Sequence, residues 1–346
     1  MIGGGAKEFR APGNFACLPA SRPGANGKRS GGLDRRSRKW WWVLALGIVL
    51  PGAVAVWKYQ LVGLAYHWAQ TLRNEARWSA DGIWLPAYRV TQDALPLEGI
   101  ADNASGLTYN PHTGTLFTVI NKPPAVAELS REGRVLRQLP LKGVVDPEGI
   151  THMHDDLFVL AEERSQQLIV LRIAQDATEL DAQGAPRLGL AVDLSGNLGF
   201  EGVSWDQERQ RLLVAKEKSP LRIFEITGLP EALAGSRFDV QIREWLESRS
   251  PGLFMRDLSS LTLHEPTGHM LVLSDESKLV VEYDAEGEPV SLMPLWRGRH
   301  GLARSVPQPE GIALDDQGAL YLLSEPNLFY RFERREPASW MKAAGN

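Results

Sequence analysis

The chain has 346 residues, 43% of them hydrophobic and 23% charged, which suits one or two globular domains and excludes a disordered or fibrous protein. Its formal net charge of −4 is unevenly divided: residues 1–80 hold twelve Lys/Arg against three acids, which leaves the remainder at −13. A body that acidic excludes nucleic acid as a partner and favours cations or basic partners, while a single cysteine, Cys17, excludes an internal disulfide.

Residues 1–39 are rich in Gly, Ala, Pro, Arg and Ser and read as a disordered, basic cytoplasmic tail. Arg35, Arg36, Arg38 and Lys39 then precede an uncharged run from Trp40 to Trp57. At ~1.5 Å per residue such a run just crosses ~30 Å of hydrocarbon. Tryptophans at both ends suit the interface, and the basic flank stays cytoplasmic. Residues 40–57 therefore read as a single-pass anchor of a bacterial inner membrane, with the body in the periplasm. The competing reading is a signal segment cleaved near Ala55, which releases the body to the periplasm. Residues 58–80 continue as a juxtamembrane stalk, with Leu61, Leu64, Trp68 and Leu72 on one helical stripe. A plain linker helix fits this segment equally well.

From residue 81 the pattern changes to short apolar runs broken by Gly, Pro, Asp and Asn. Five related copies occur: "NASGLTYNPHTGTLFTVIN" from Asn103, "DPEGITHMHDDLFVLAE" from Asp146, "GFEGVSWDQERQRLLVAKE" from Gly199, "DLSSLTLHEPTGHMLVLSD" from Asp257 and "QPEGIALDDQGALYLLSE" from Gln308. Each is followed by a further strand–turn–strand pattern such as "LVVEYDAEGEPV". Four strands per unit, repeated at this length, predict an all-β fold for residues 81–346: a β-propeller. Residues 81–100 hold strand material that can complete the last sheet and lock the ring. The long interval between the third and fourth copies leaves room for helix in "LPEALAGSRFDVQIREWLESR". Six blades, one of them degenerate, are expected rather than five.

Within each copy the first two strands form a hairpin, so the residue before the first strand and the residue after the second meet at one end. The first set is Ser105, Glu148, Glu201, Ser259 and Glu310; the second is Asn121, Glu162, Glu217, Asp275 and Glu325. Around a propeller axis these become two rings of oxygen-bearing side chains at one channel mouth. Crowded carboxylates repel unless a cation compensates, and an all-oxygen, cysteine-free set suits a hard cation, Ca²⁺ above Mg²⁺. The metal candidates are thus Glu148, Glu162, Glu201, Glu217, Asp275, Glu310 and Glu325. Ser105, Asn121, Lys122, Lys216 and Ser259 are expected to line the mouth, where either lysine can neutralise the cluster or grip an anionic group. The plainer reading is that each Glu staples neighbouring blades through backbone N–H groups. "THMHDD" puts His152 and His154 on one hairpin turn, away from this mouth, and reads as surface.

The elements "SGLTYNPHTGTLF", "INKP", "DPEGI" and "EER" resemble those of the SdiA-regulated, or YjiK-like, family of membrane-anchored bacterial proteins, over roughly residues 85–335. The resemblance implies a six-bladed propeller of the NHL and TolB-like architecture, with bound calcium and no established activity. The Glu-Gly-strand repeat is also similar to that of esterase-like phytase and gluconolactonase-type propellers, an analogy of fold alone. No nucleophile–base motif or dinucleotide fingerprint is present. Three functions are therefore open: a tethered propeller binding a cation and a small molecule or protein at its mouth, a metal-dependent hydrolase of phosphoesters or lactones, and a metal-free scaffold.

Overall fold

The computed structural model describes residues 42, 47–54, 56, 61–190, 199–218, 220–245 and 253–335. The tail 1–39 and residues 40, 41, 43–46, 55 and 57 of the expected span 40–57 lie outside the described residues. Among the described residues no helix is long and apolar enough to cross a membrane.

Helix α1 (Leu61–Trp78) precedes strand β1 (Tyr88–Pro96). Blade 1 follows as β2 (Ala104–Asn110), β3 (Thr115–Asn121), β4 (Pro124–Leu129) and β5 (Val135–Lys142). Blade 2 is β6 (Pro147–His154), β7 (Leu157–Glu162), β8 (Gln167–Arg172) and β10 (Arg187–Gly189), while the short β9 (Leu180–Asp181) crosses to pair in parallel with β5. Blade 3 is β11 (Phe200–Asp206), β12 (Arg211–Lys216), β13 (Arg222–Thr227) and β14 (Gln241–Glu244), with α2 (Leu229–Leu233) before its last strand. Blade 4 is β15 (Ser260–His264), β16 (His269–Ser274), β17 (Leu279–Tyr283) and β18 (Pro289–Pro294). Blade 5 is β19 (Pro309–Leu314), β20 (Leu320–Ser324) and β21 (Leu328–Arg334), completed on its outer edge by β1 from the start of the domain.

The propeller has five blades, which corrects the expected six. The long interval between the third and fourth copies holds the expected helix, α2, together with β14, the outer strand of blade 3, and adds no further blade among the described residues. The ring closes without it, because the innermost strands touch in the cycle β19–β2–β6–β11–β15–β19. Strand periodicity explains the layering. Along β12, Leu212 and Val214 face the core shared with blade 2, while Leu213 and Ala215 face the core shared with blade 4. Among the described residues one such core fills each junction, as where Phe117 of blade 1 meets Phe158 of blade 2 with ring centroids 4.8 Å apart.

Helix α1 covers the outer edge of blade 4. Asn74 Nδ2 donates to the carbonyls of Pro289 and Val290 at 2.9 and 3.2 Å, and His67 stacks on Phe254. The buried face is Leu64, His67, Trp68 and Thr71, whereas Leu61 and Leu72 point outward. The expected stripe is rotated because His67 is taken inward as a neutral ring, its pKa lowered to about 4 by burial.

The repeated glycine is explained at the ring's inner wall. A Cβ on Gly149 would lie 2.3 Å from the Glu201 carbonyl oxygen, and one on Gly106 would lie 2.7 Å from that of Glu148. Gly149→Ala is expected to lower stability by about 1–3 kcal/mol through overpacking. Gly184→Ala, where nothing lies within 4 Å, should stay within about 0.5 kcal/mol of the parent. Denaturant midpoints of the two variants check this.

Candidate functional site

The bulges that start the blades aim the first ring. In β6, β11 and β19 the pairing skips one residue, between Pro147 and Gly149, Phe200 and Gly202, and Pro309 and Gly311. The skipped residues are Glu148, Glu201 and Glu310, and a bulge re-aims its side chain out of the ladder. Ser105 and Ser259 hold the same place in blades 1 and 4, where their hydroxyls are staples: Ser105 Oγ donates to the Glu148 carbonyl at 2.9 Å and Ser259 Oγ to that of Pro309 at 2.8 Å.

The second ring is fixed by a repeated backbone bond. The N–H groups of Asn121, Glu163, Glu217 and Glu325 donate to the carbonyls of Asn103, Asp146, Gly199 and Gln308 at 3.2, 3.1, 3.2 and 2.9 Å. Asp275, the first residue past β16, takes the corresponding place in blade 4. The blade 2 member is therefore Glu163 and not its neighbour Glu162. The Glu162 carboxylate is turned away and accepts from the Val145 N–H at 2.7 Å and from Ser165 Oγ. Lys216 takes the place of Glu162 in blade 3, is buried, and donates to the Lys218 carbonyl at 2.5 Å.

The carboxylates converge on Glu163. Ligand oxygens of Asp146, Glu148 and Glu163 lie within 4.8 Å of one another, as do those of Glu163, Glu201 and Glu217. Asn121 borders the first group, its Nδ2 donating to Glu148 Oε1 at 2.8 Å, while its buried Oδ1 has no partner. Cations lie at the rim. Arg164 pairs with Asp146 at 2.7 Å, Lys218 bridges Glu217 and Glu276 at 2.5 and 2.9 Å, and Lys278 pairs with Asp275. Lys122 is exposed, and its charge acts on Glu148. Among the described residues no ion pair neutralises Glu148, Glu163, Glu201, Glu310 or Glu325. His152 and His154 lie at the opposite end of the channel, in a funnel of about 620 Å³ with Tyr109 and Trp205.

The model of the SdiA-regulated family matches residues 80–333. The chain belongs to the SdiA-regulated family. Its fold is similar to that of regucalcin, a calcium-binding protein from Agrobacterium tumefaciens, at 12% identity over 70% of this chain and 92% of that one, with a TM-score of 0.44. A gluconolactonase from Xanthomonas campestris matches at 12% identity over 71% and 94%, with a TM-score of 0.42. Virginiamycin B lyase from Staphylococcus aureus matches at 14% over 72% and 75%, with a TM-score of 0.39.

In this SdiA-regulated propeller the unneutralised acids hold their protons tightly. Burial, then the neighbouring Glu148, Asp146 and Glu217 charges, push Glu163 up to about 7. Burial, then Asp275, pushes Glu310 up to about 9. Glu201 is raised well above the usual range by burial and by Glu217, Glu310, Glu148 and Glu163. Burial also raises Glu148, against the Asn121 hydrogen bond, which favours its charged form. Burial and Asp102 raise Glu325.

Two site residues escape a reading of the sequence. Asp146 lies two positions before the bulge, as Asp257 does in blade 4, and that shared offset is the available signal. Glu163 is hidden by its twin Glu162, and only a constant hairpin register separates them.

A carboxylate whose folded-state pKa is raised stabilises the fold below its unfolded value, near 4.5, and loses that contribution as pH rises through the folded value. Chelator-treated protein is therefore expected to melt at progressively lower temperature from pH 5 to pH 9, with the contribution of Glu163 used up by about 7 and that of Glu310 by about 9. Glu163→Gln should flatten the lower part of that profile. Melting curves across pH in chelator check both statements.

Proposed function

We propose that the propeller binds a divalent cation, calcium by preference, at the acidic mouth, and that the bound cation receives an oxygen of an anionic or carbonyl-bearing small molecule or protein side chain. The observation that carries this is Glu163, a carboxylate shared between two acidic groups with no ion pair to offset it. Asn121 Oδ1, buried and without a partner, adds a neutral oxygen beside Glu148. Donors that are all oxygen and drawn from different blades suit calcium, which takes six to eight oxygens in irregular geometry, better than magnesium with its strict octahedron. Glu148, Glu163, Glu201 and Glu217, with Asp146 and Asn121 beside them, would hold the ion. The chemistry it supplies is charge compensation and attraction of a further oxygen. We read the basic-flanked run 40–57 as a tether to a bacterial inner membrane that leaves the propeller in the periplasm.

Calorimetric titration of the chelator-treated protein is expected to show calcium binding, with weaker binding of magnesium. Glu163→Gln should weaken calcium binding at least tenfold, and Glu163→Gln/Glu201→Gln should abolish it. Heat of binding unchanged in the double variant would remove the site. A parent that binds neither ion, with variants of lower melting temperature, would leave these acids as ties between blades.

A further inference from the structure

The outward face of α1 is unusually apolar for a surface. Leu61, Val62, Ala65, Tyr66, Ala69 and Leu72 are all exposed, with Val62 at 72% and Leu72 at 69%. The same face ends in Arg73 and Arg77. Beside it runs the 295–306 loop between β18 and β19, which carries Arg297, Arg299 and Arg304, all exposed. The two elements share a cleft of about 400 Å³, with Trp68 and Leu72 on one wall and Gly298–Gly301 on the other, and the Arg299 guanidinium lies 5.8 Å from the Trp68 ring centre.

These arginines differ from those elsewhere on the propeller. Among the described residues the other blades tie their arginines to carboxylates, as Arg131 to Asp315, Arg137 to Glu128 and Arg211 to Asp206 and Glu225. Among the described residues the five around α1 have no carboxylate partner. Arg335, whose N–H donates to the Ala87 carbonyl, adds to them; elsewhere the exposed exceptions are Arg134 on blade 1 and Arg187 on blade 2, whose guanidinium donates to Gln167 Oε1 and to the Gly143 and Ala182 carbonyls. The nearby acids are Glu75, in the cleft, and Asp93, whose Oδ2 accepts from the Ala303 N–H. On a body with a net charge of −13, an unpaired basic patch beside an apolar helical stripe is a segregated feature.

We propose that this face docks on an anionic phospholipid bilayer, with the α1 stripe in the headgroup–acyl boundary and the five arginines on lipid phosphates. An apolar stripe flanked by arginine is the chemistry of an interfacial helix. Chain order supplies the bilayer, because α1 begins four residues after the run 40–57. The source of the bilayer rests on the tether read above, but the docking chemistry does not.

The test is vesicle flotation of the full chain with phosphatidylcholine alone or with one part phosphatidylglycerol to three. The parent, a Leu46→Asp/Leu50→Asp variant that breaks the apolar run, and the same variant with Arg297→Glu/Arg299→Glu/Arg304→Glu are compared. The broken-run variant is expected to float with the anionic vesicles and at least tenfold less with the neutral ones. Each arginine near an anionic surface is worth about fivefold in binding, so the triple reversal should cost at least a further tenfold. Equal flotation on both lipids, no effect of the reversal, or no flotation of the broken-run variant would overturn the docking, the last leaving the face to a protein partner. Loss of the parent from neutral vesicles would overturn the tether alone, and the parent's anionic arm would then test the docking.

Discussion

The close approach of the five innermost strands is the constraint on which the rest of this propeller depends. Neighbouring inner strands are not joined by a hydrogen-bonded ladder, so they must meet backbone against backbone around a narrow axis. Gly106, Gly149, Gly202 and Gly311 stand at the meeting points, where a Cβ would come within 3 Å of the next strand. In blades 2, 3 and 5 the skipped residue just before the glycine is turned out of the ladder, toward the mouth. Polar side chains satisfy the strands that the missing ladder leaves open. Ser105 and Ser259 donate to the next blade on the mouth side of the glycines, while Thr108, Thr151 and Ser204 hydroxyls accept the N–H groups of His152, Trp205 and Leu263 on the other side. Convergence of the carboxylates is thus a consequence of ring closure.

That convergence opposes folding. Five apolar junctions draw the blades together and, in doing so, force Glu148, Glu163, Glu201 and Glu310 into a space where their charged forms are disfavoured. Arg164 and Lys218 offset Asp146 and Glu217 within the two groups, and Lys278 offsets Asp275, but among the described residues no ion pair reaches Glu148, Glu163, Glu201 or Glu310. A fold needing only ties between blades could use serine throughout, as blades 1 and 4 do. Carboxylates in blades 2, 3 and 5 carry an electrostatic cost that stapling does not require, and sites that oppose local stability are where function concentrates.

The repeat, the propeller and the mouth are legible in the sequence because the Glu-Gly element and the strand periodicity recur in register. Blade number is not, because length is ambiguous: the residues between the third and fourth copies form α2 and β14 and contribute no sixth copy of the repeat. Glu163 is lost for a different reason. Strand side chains alternate faces, so a slip of one residue exchanges inward for outward, and the Glu162–Glu163 doublet offers the same chemistry at both positions. The α1 stripe fails in a similar way, since hydrophobicity alone favours Leu72 over Thr71, while packing takes Thr71 inward with its hydroxyl returned to the His67 carbonyl.

The two ends of the channel differ in the rings that accompany their acids. One end gathers acids. The other gathers Tyr109, His152, Trp205 and His264 around a funnel that also holds Asp155, Glu265, Asp315 and Asp316, with burial lowering the His264 pKa to about 3 and lowering that of His152 as well. Neutral imidazoles there add no positive charge beside those acids. Helix α1 lies along the outer strand of blade 4 and not across either opening. It shields an edge that would otherwise offer unpaired backbone groups and places its basic, apolar face on the flank of the ring. The proposed docking face lies on that flank and leaves both ends of the channel uncovered, so the proposed membrane docking and cation binding would not compete for one face.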